Sequence, residues 1–413
     1  VGKYCDSAAL AAVGTSSQPV EILLCLFTGI AGGSSILVAR YAGARDMDKV
    51  SSIIKTATTL IYLVAIPLTI IGMFLSPALL RLMNVPEDAF DYALTYIRIT
   101  LVGTVASLGF NTNSGCLKGL GDSAASLIFL FISSITNIVL DVLFVAEFNM
   151  GVGGVALATI IAQFLSWFAS MIYIRNKYPE FNYTPIPQIP QKNLVKELAR
   201  IAIPLGFNSS IYSVGHLVVQ ALVNLQGTDF MAGCNVGNKI TGISHLAVQA
   251  LSAAGATYAG QNFGAGDLQR VKKGHLLIPF MSGGFTLVVD MLFLAFSTPL
   301  IYLFNKEPAV VEYARFYLEM SLPFYCMYAV FNGIINYAHG VGEIKYPTII
   351  NIIALWGIRI PSAFAIAYLG DGKYVILSFA ISFLFGMISM LLYYRTKSYR
   401  RIFEDTPAKE LSA

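Results

Sequence analysis

The sequence predicts an all-α integral membrane protein: two six-helix bundles related by a pseudo-twofold axis along the membrane normal, with the first helix missing and eleven spans present. Composition, the spacing of apolar stretches and an internal repeat predict it. Charged residues make up 12% of the 413 residues and apolar residues 56%, whereas ordinary soluble domains are about a quarter charged. That composition excludes an ordinary soluble enzyme. A hydrocarbon core about 30 Å thick takes roughly 20 helical residues to cross. Apolar stretches of that length fall at 18–40, 51–75, 89–111, 124–146, 152–175, 198–223, 234–259, 274–299, 310–337, 346–369 and 373–395. Most of their ends carry Gly, Pro or a charge.

The net charge is only +4, but its placement is informative. With sides assigned by alternation, Arg40, Arg45, Lys49, Arg175, Lys177, Lys196, Arg270, Lys273 and Arg395 fall on one side with most other basic residues. The opposite side has Lys3, Arg81, Lys306 and Lys373. The positive-inside rule makes the first side cytoplasmic, with the carboxy terminus there and the amino end outside. The basic residues are therefore topology signals and not a nucleic-acid patch. Cys5, Cys25, Cys116, Cys234 and Cys326 have no paired spacing, so neither a disulfide frame nor a metal site is indicated. The chain opens at Val1 with nothing resembling a signal peptide and reads as a fragment.

Self-comparison at an offset of 221 aligns the chain with itself without a gap. Gly43, Ala44 and Asp46 fall on Gly264, Ala265 and Asp267; Tyr92, Ala93 and Tyr96 on Tyr313, Ala314 and Tyr317. Phe110-Asn111 matches Phe331-Asn332, and Gly119 and Gly121 match Gly340 and Gly342. Loops match as well as spans, which chance resemblance of apolar helices does not produce. The span 198–223 opens the second copy, and its counterpart would end near residue 2, so the first copy lacks a helix. An intact chain would hold twelve spans with both copies oriented alike. The domains expected are an amino-terminal lobe 1–177, a polar, proline-bearing cytoplasmic linker 178–197, a carboxy-terminal lobe 198–397 and a cytoplasmic tail 398–413.

An ionisable residue at mid-span costs about 2.5–3.5 kcal/mol on insertion scales and is a functional candidate by default. Asp141 lies one helical turn after Asn137, so both project from one face of the span 124–146. At about 1.5 Å per residue from the outer loop, Asp141 and Thr159 of the next span share a depth of roughly 10 Å. A carboxylate, an amide oxygen and a hydroxyl suit a proton or Na⁺. The residues alone leave open a second reading, in which Asp141 snorkels to the interface and Asn137 bonds a neighbouring helix. Asp290, Arg359, His245 and Lys239 are candidates for cavity or structural charges, with structural pairing favoured for Asp290 and Arg359. His216 and His245 read as hydrogen-bonded interior groups. Arg98 and Glu319 carry opposite charge at equivalent repeat positions.

Gly119-Leu120-Gly121-Asp122 matches the Gly-x-Gly-Asp of intramembrane aspartyl proteases, but it lies in a turn and no Tyr-Asp pair supplies the second aspartate that the chemistry needs. His-Glu-x-x-His, Gly-x-Ser-x-Gly and phosphate-loop motifs are absent from the sequence, which argues against an enzyme.

Leu10-Ala11-Ala12-Val13-Gly14, the loop Ala39-Arg40-Tyr41-Ala42-Gly43-Ala44, and Gly260-Gln261-Asn262-Phe263-Gly264-Ala265-Gly266 with Arg270-Val271 resemble the multidrug and toxic compound extrusion (MATE) family over the whole chain. Ile203-Pro204-Leu205-Gly206 looks closest to its DNA-damage-inducible, MepA-like bacterial branch. The resemblance implies efflux of cationic or amphipathic drugs across the plasma membrane, driven by H⁺ or Na⁺ and performed by rocking of two lobes. It matches the family's amino-lobe cation pocket to Asn137, Asp141 and Thr159, and places a further Asp on the helix that precedes Val1. Without that helix the chain is expected not to perform coupled transport. The acids that another branch uses in its carboxy lobe would fall near Tyr212 and Tyr328, so coupling through the amino lobe is the expectation. A small organic substrate and the bilayer are the expected partners, with no cofactor, nucleic acid or obligate protein partner. The alternatives are a lipid-linked precursor flippase, which would need a strongly cationic cavity from Arg359 and Lys239, and, remotely, a membrane-embedded enzyme.

Overall fold

The computed structural model describes residues 7–82, 85, 87–396 and 399, with side chains from Leu24 onward except Leu82 and Asp88. Lys3, Cys5, the side chains of Leu10–Gly14 and the tail 398–413 apart from Tyr399 lie outside the described residues. The chain divides into two compact units, Val1–Ser210 and Ile211–Ala413. The first contains α1 (Ser7–Gly43), α2 (Met47–Leu82), α3 (Glu87–Val102), α4 (Thr104–Gly119), α5 (Ser123–Val142), which continues as a π-helical turn Leu143–Glu147, and α6 (Gly151–Lys177). α7 (Lys192–Asn224) passes from the first unit into the second. The second continues with α8 (Thr228–Gly264), α9 (Leu268–Ala295), α10 (Ser297–Tyr302), α11 (Pro308–Gly340) and α12 (Lys345–Ile352). A π-helical stretch Ile353–Arg359, α13 (Ile360–Leu369), a 3₁₀ turn Gly372–Ile376 and α14 (Leu377–Tyr394) complete it.

Each of the eleven expected spans lies on this helical frame. Among the described residues, eight helices are long and apolar enough to cross a membrane, and α3 with α4, bent by 46° at Gly103, makes a ninth. α7 and α8 have ample length at 33 and 37 residues. They are more polar, α7 carrying Asn208, His216 and Gln220 and α8 carrying Asn238, Lys239, His245 and Gln249. The remaining helices present apolar stripes outward, as α5 does with Leu127, Phe131, Ile138 and Val142, which is the surface that hydrocarbon covers.

The repeat is visible in the helix boundaries. α1 and α8 start at Ser7 and Thr228 and end at Gly43 and Gly264; α2 and α9 start at Met47 and Leu268; α4 and α11 end at Gly119 and Gly340. Every one of these pairs differs by 221. The turns repeat bond for bond: Asp46 N–H donates to Tyr41 O at 3.0 Å and Asp267 N–H to Asn262 O at 2.9 Å. The Asp46 carboxylate then accepts Lys49 N–H at 3.0 Å, as Asp267 accepts Arg270 N–H at 3.0 Å. At Gly119 a Cβ would run into the Ser35 carbonyl and Val38, and at Gly340 into the Ala256 carbonyl and Ala259. These are equivalent partners, so both copies cross their helices at the same contact.

The segment between α6 and α7 opens with a 3₁₀ turn, Pro179–Phe181, and is docked. Phe181 and Tyr183 are buried. The Ser51 hydroxyl donates to Phe181 O at 2.6 Å, and Thr59 donates to Gln188 O at 2.9 Å while accepting Gln188 N–H at 3.0 Å. α7 begins at Lys192, because Lys192–Arg200 are good helix formers released by Pro190.

Candidate functional site

Asn137 and Asp141 occupy the half-buried flank of α5, beside its apolar stripe and facing α6. The Asn137 amide donates to Thr159 Oγ1 at 3.3 Å, and the Thr159 hydroxyl donates to its own helix at Val155 O, 3.0 Å away. Asp141 keeps Oδ1 buried without a hydrogen-bond partner among the described residues. Tyr96 of α3 lies within electrostatic reach of Asp141. Asn137 and Thr159 therefore touch, while Asp141 sits one turn away with an oxygen available for a proton or a cation.

In the second unit one of the candidate groups, His245, lines a cavity of about 240 Å³. Tyr212, His216, His245, Tyr325, Phe379 and Phe383 form much of its wall. His245 Nδ1 lies 3.2 Å from the Tyr325 hydroxyl and Nε2 3.2 Å from the Gln249 amide nitrogen, and its ring stacks on Tyr328 at 5.6 Å. The favoured pairing of Asp290 with Arg359 is not made. Arg359 Nε donates to Ser382 Oγ at 2.9 Å, and its guanidinium lies 4.7 Å from the Phe379 ring, 5.1 Å from Phe383 and 5.6 Å from Tyr212. Asp290, fully buried, accepts the Ser244 hydroxyl on Oδ1 and has no partner on Oδ2. Arg359 is engaged by α7 and α14 and Asp290 by α8, so the two charges have different partners. Lys239 lies over the Phe304 ring at 5.5 Å, and neither it nor Arg359 is among the cavity-lining residues, so the two do not line the strongly cationic cavity that a flippase would need.

The aromatic wall escaped sequence reasoning. Its one signal was the i, i+4 spacing of Phe379 and Phe383, and such pairs are common in apolar helices. The offset of 221 now places Tyr317, Ser321 and Ala380 of this cavity on Tyr96, Thr100 and Thr159. The two candidate sites thus share these three positions of the repeated bundle, but Asp141 falls on Ser362 and Arg359 on Ile138, so the charges themselves are not equivalent.

The remaining singled-out residues have structural roles. Asp122 Oδ2 accepts Lys177 Nζ at 2.8 Å and the hydroxyls of Tyr173 and Tyr178 at 2.9 and 3.1 Å, which clamps the start of α5 to the end of α6. Burial pushes this carboxyl up, and the three hydrogen bonds outweigh it and hold the group below the usual carboxylate range. Burial and the Asp122 charge push the Tyr178 hydroxyl up to about 12, keeping it a donor. Glu319 pairs with Arg315 at 2.9 Å on an exposed face.

Comparison with known proteins gives concordant findings. The MatE family profile matches residues 1–143 and again 204–365. The "Probable multidrug resistance protein YpnP" of Bacillus subtilis (strain 168) is 30% identical over 400 residues, covering 96% of this chain and 88% of that protein. The "Probable multidrug resistance protein NorM" of Thermotoga maritima is 25% identical over 365 residues, covering 86% and 77%. A solved structure titled "Outward-facing conformation of a multidrug resistance MATE family transporter of the MOP superfamily" shares the fold with a TM-score of 0.89 at 21% identity, covering 97% of this chain and 90% of that one.

Proposed function

The chain belongs to the MatE family, and from that premise we propose that it exports drugs or other small amphipathic organic molecules as an H⁺- or Na⁺-coupled antiporter working by alternating access. It is a membrane transporter and not an enzyme. The multidrug names of its relatives support the substrate class, and the distribution of basic residues supports a cytoplasmic carboxy terminus. The lobes are 1–177 and 198–397, joined by the linker 178–197.

The observation that carries the coupling is the buried, unpartnered Oδ1 of Asp141 one turn from the Asn137–Thr159 contact. A carboxylate in that position is stabilised by a bound proton or cation and destabilised without one. Asn137 Oδ1 and the Thr159 hydroxyl oxygen supply further hard donors for Na⁺. Loading and unloading of Asp141 therefore changes the relative stability of states that differ in access to water, which is what couples ion to cargo.

The test is Asp141→Asn in the full protein, expressed in a drug-sensitive bacterial host. Dye efflux driven by an imposed proton or sodium gradient should disappear while the protein still reaches the membrane. Undiminished efflux by this variant at every pH and sodium level would reject the assignment.

A further inference from the structure

We infer that the cavity of the second unit is a binding site for flat aromatic molecules bearing a negative charge, and that it discriminates against aromatic cations of the same size. The inference concerns the cargo of the proposed exporter and rests on that reading only for the direction of transport.

A cavity walled by Tyr212, Tyr325, Phe379 and Phe383 looks at first like a cage for cations, since ring faces attract positive charge. Arg359 reverses that reading. Its guanidinium already lies over the rings of Phe379, Phe383 and Tyr212. A ring polarised toward a cation on one face is a weaker acceptor for a second on the other, and it stacks better on an electron-rich partner. The charge itself is uncompensated. Arg359 is 3% exposed, its Nη1 has no partner, and no Asp or Glu of the described residues pairs with it. An arginine does not deprotonate to escape this. Neither Arg359 nor Asp290 is among the lining residues: Arg359 stands against three rings that form the wall, while Asp290 is fully buried against Ser244.

The remaining wall favours an anion too. Ser321 lines the cavity with a buried hydroxyl that has no partner, and His216, His245 and Thr241 add polar groups. No carboxylate is among the lining residues. The repeat adds one contrast: Thr159 of the first unit becomes Ala380 here, while Asp141 falls on the uncharged Ser362. Space for a ring has replaced a hydroxyl. A volume of about 240 Å³ suits one fused-ring system and leaves little beyond it.

The experiment uses the full protein in lipid nanodiscs, without an ion gradient, and three probes of one shape: naphthalene-2-carboxylate, 2-(aminomethyl)naphthalene and 2-methylnaphthalene. Calorimetry should give the carboxylate about a tenfold lower Kd than the amine, the scale of one buried charge at this range. Arg359→Gln should erase that order while still binding the neutral probe, and Arg359→Lys, which keeps the charge, should retain it. Ala380→Trp, which fills the cavity, should abolish binding of all three. The proposal is overturned if the wild type binds the amine as tightly as the carboxylate, if Arg359→Lys binds the neutral probe but loses the order, or if Ala380→Trp binds the carboxylate unchanged. Repeating the binding with Asp141→Asn separates this site from the coupling reading: an intact order of probes supports this site whatever the variant does to gradient-driven efflux, which tests the coupling reading alone.

Discussion

Asp290 is fully enclosed, with a single hydroxyl partner and no cation beside it. An ionised carboxyl so placed destabilises the fold, and an amide of the same shape keeps the Ser244 bond without the charge. Asp290→Asn should therefore match or exceed the wild type in stability, within about 1 kcal/mol, as read from unfolding in mixed micelles; a loss of several kcal/mol would mean that the charge is satisfied. That Asp290 and Arg359 are special was legible in the sequence, because charges inside apolar spans are rare. Their separation was not legible, since it depends on how each helix is rotated about its axis. Counting depth from a shared loop put Asp141 level with Thr159, yet it is Asn137, one turn earlier on the same face, that touches Thr159. The aromatic wall of the second cavity was invisible, because Phe and Tyr serve lipid-facing and inward-facing surfaces alike.

Among elements, the turns after α1 and α8 offer a controlled comparison. Arg45 and Gly266 occupy one repeat position at φ of 59° and 73°, and a Cβ at Gly266 would meet nothing within 4 Å. Gly266→Val thus probes backbone strain alone and should cost about 1–2 kcal/mol. Gly340→Ala probes packing instead, because its Cβ meets the Ala256 carbonyl, and should cost about 1–3 kcal/mol as α8 and α11 are forced apart. A Gly340→Ala variant as stable as the wild type in the same unfolding assay would contradict the repeat contact. The Asp122 clamp predicts a pH effect of definite sign. Its carboxyl is held below the usual range, so its contribution is complete above about pH 4 and fades as pH falls through the lowered value. Asp122→Asn should lower the melting midpoint at pH 7 and have a smaller effect in acid.

For the whole molecule, length, composition and the offset of 221 foretold two similar helical bundles, since a gap-free repeat constrains every helix end at once. The bend at Gly103 was not foretold: α11 runs on through the matching region with Pro323 inside it, so one copy breaks where the other does not. Topology makes a separate prediction. Single cysteines at Lys273 and Lys306, in a background without the native cysteines, should label oppositely with a membrane-impermeant maleimide: Lys306→Cys in intact cells, Lys273→Cys only after permeabilisation. Labelling of both from one side would overturn the orientation. One further consequence comes from the docking of the segment before α7. Gln188 is fastened to Thr59 through two hydrogen bonds and the helix starts at Lys192, so the free leash is four Cα steps, at most about 14 Å when taut. That length is a mechanical stop on how far the first turn of α7 can travel. Splicing glycines in beside Ile189 would lengthen the leash and widen the helix's excursions without altering any group that holds ion or cargo.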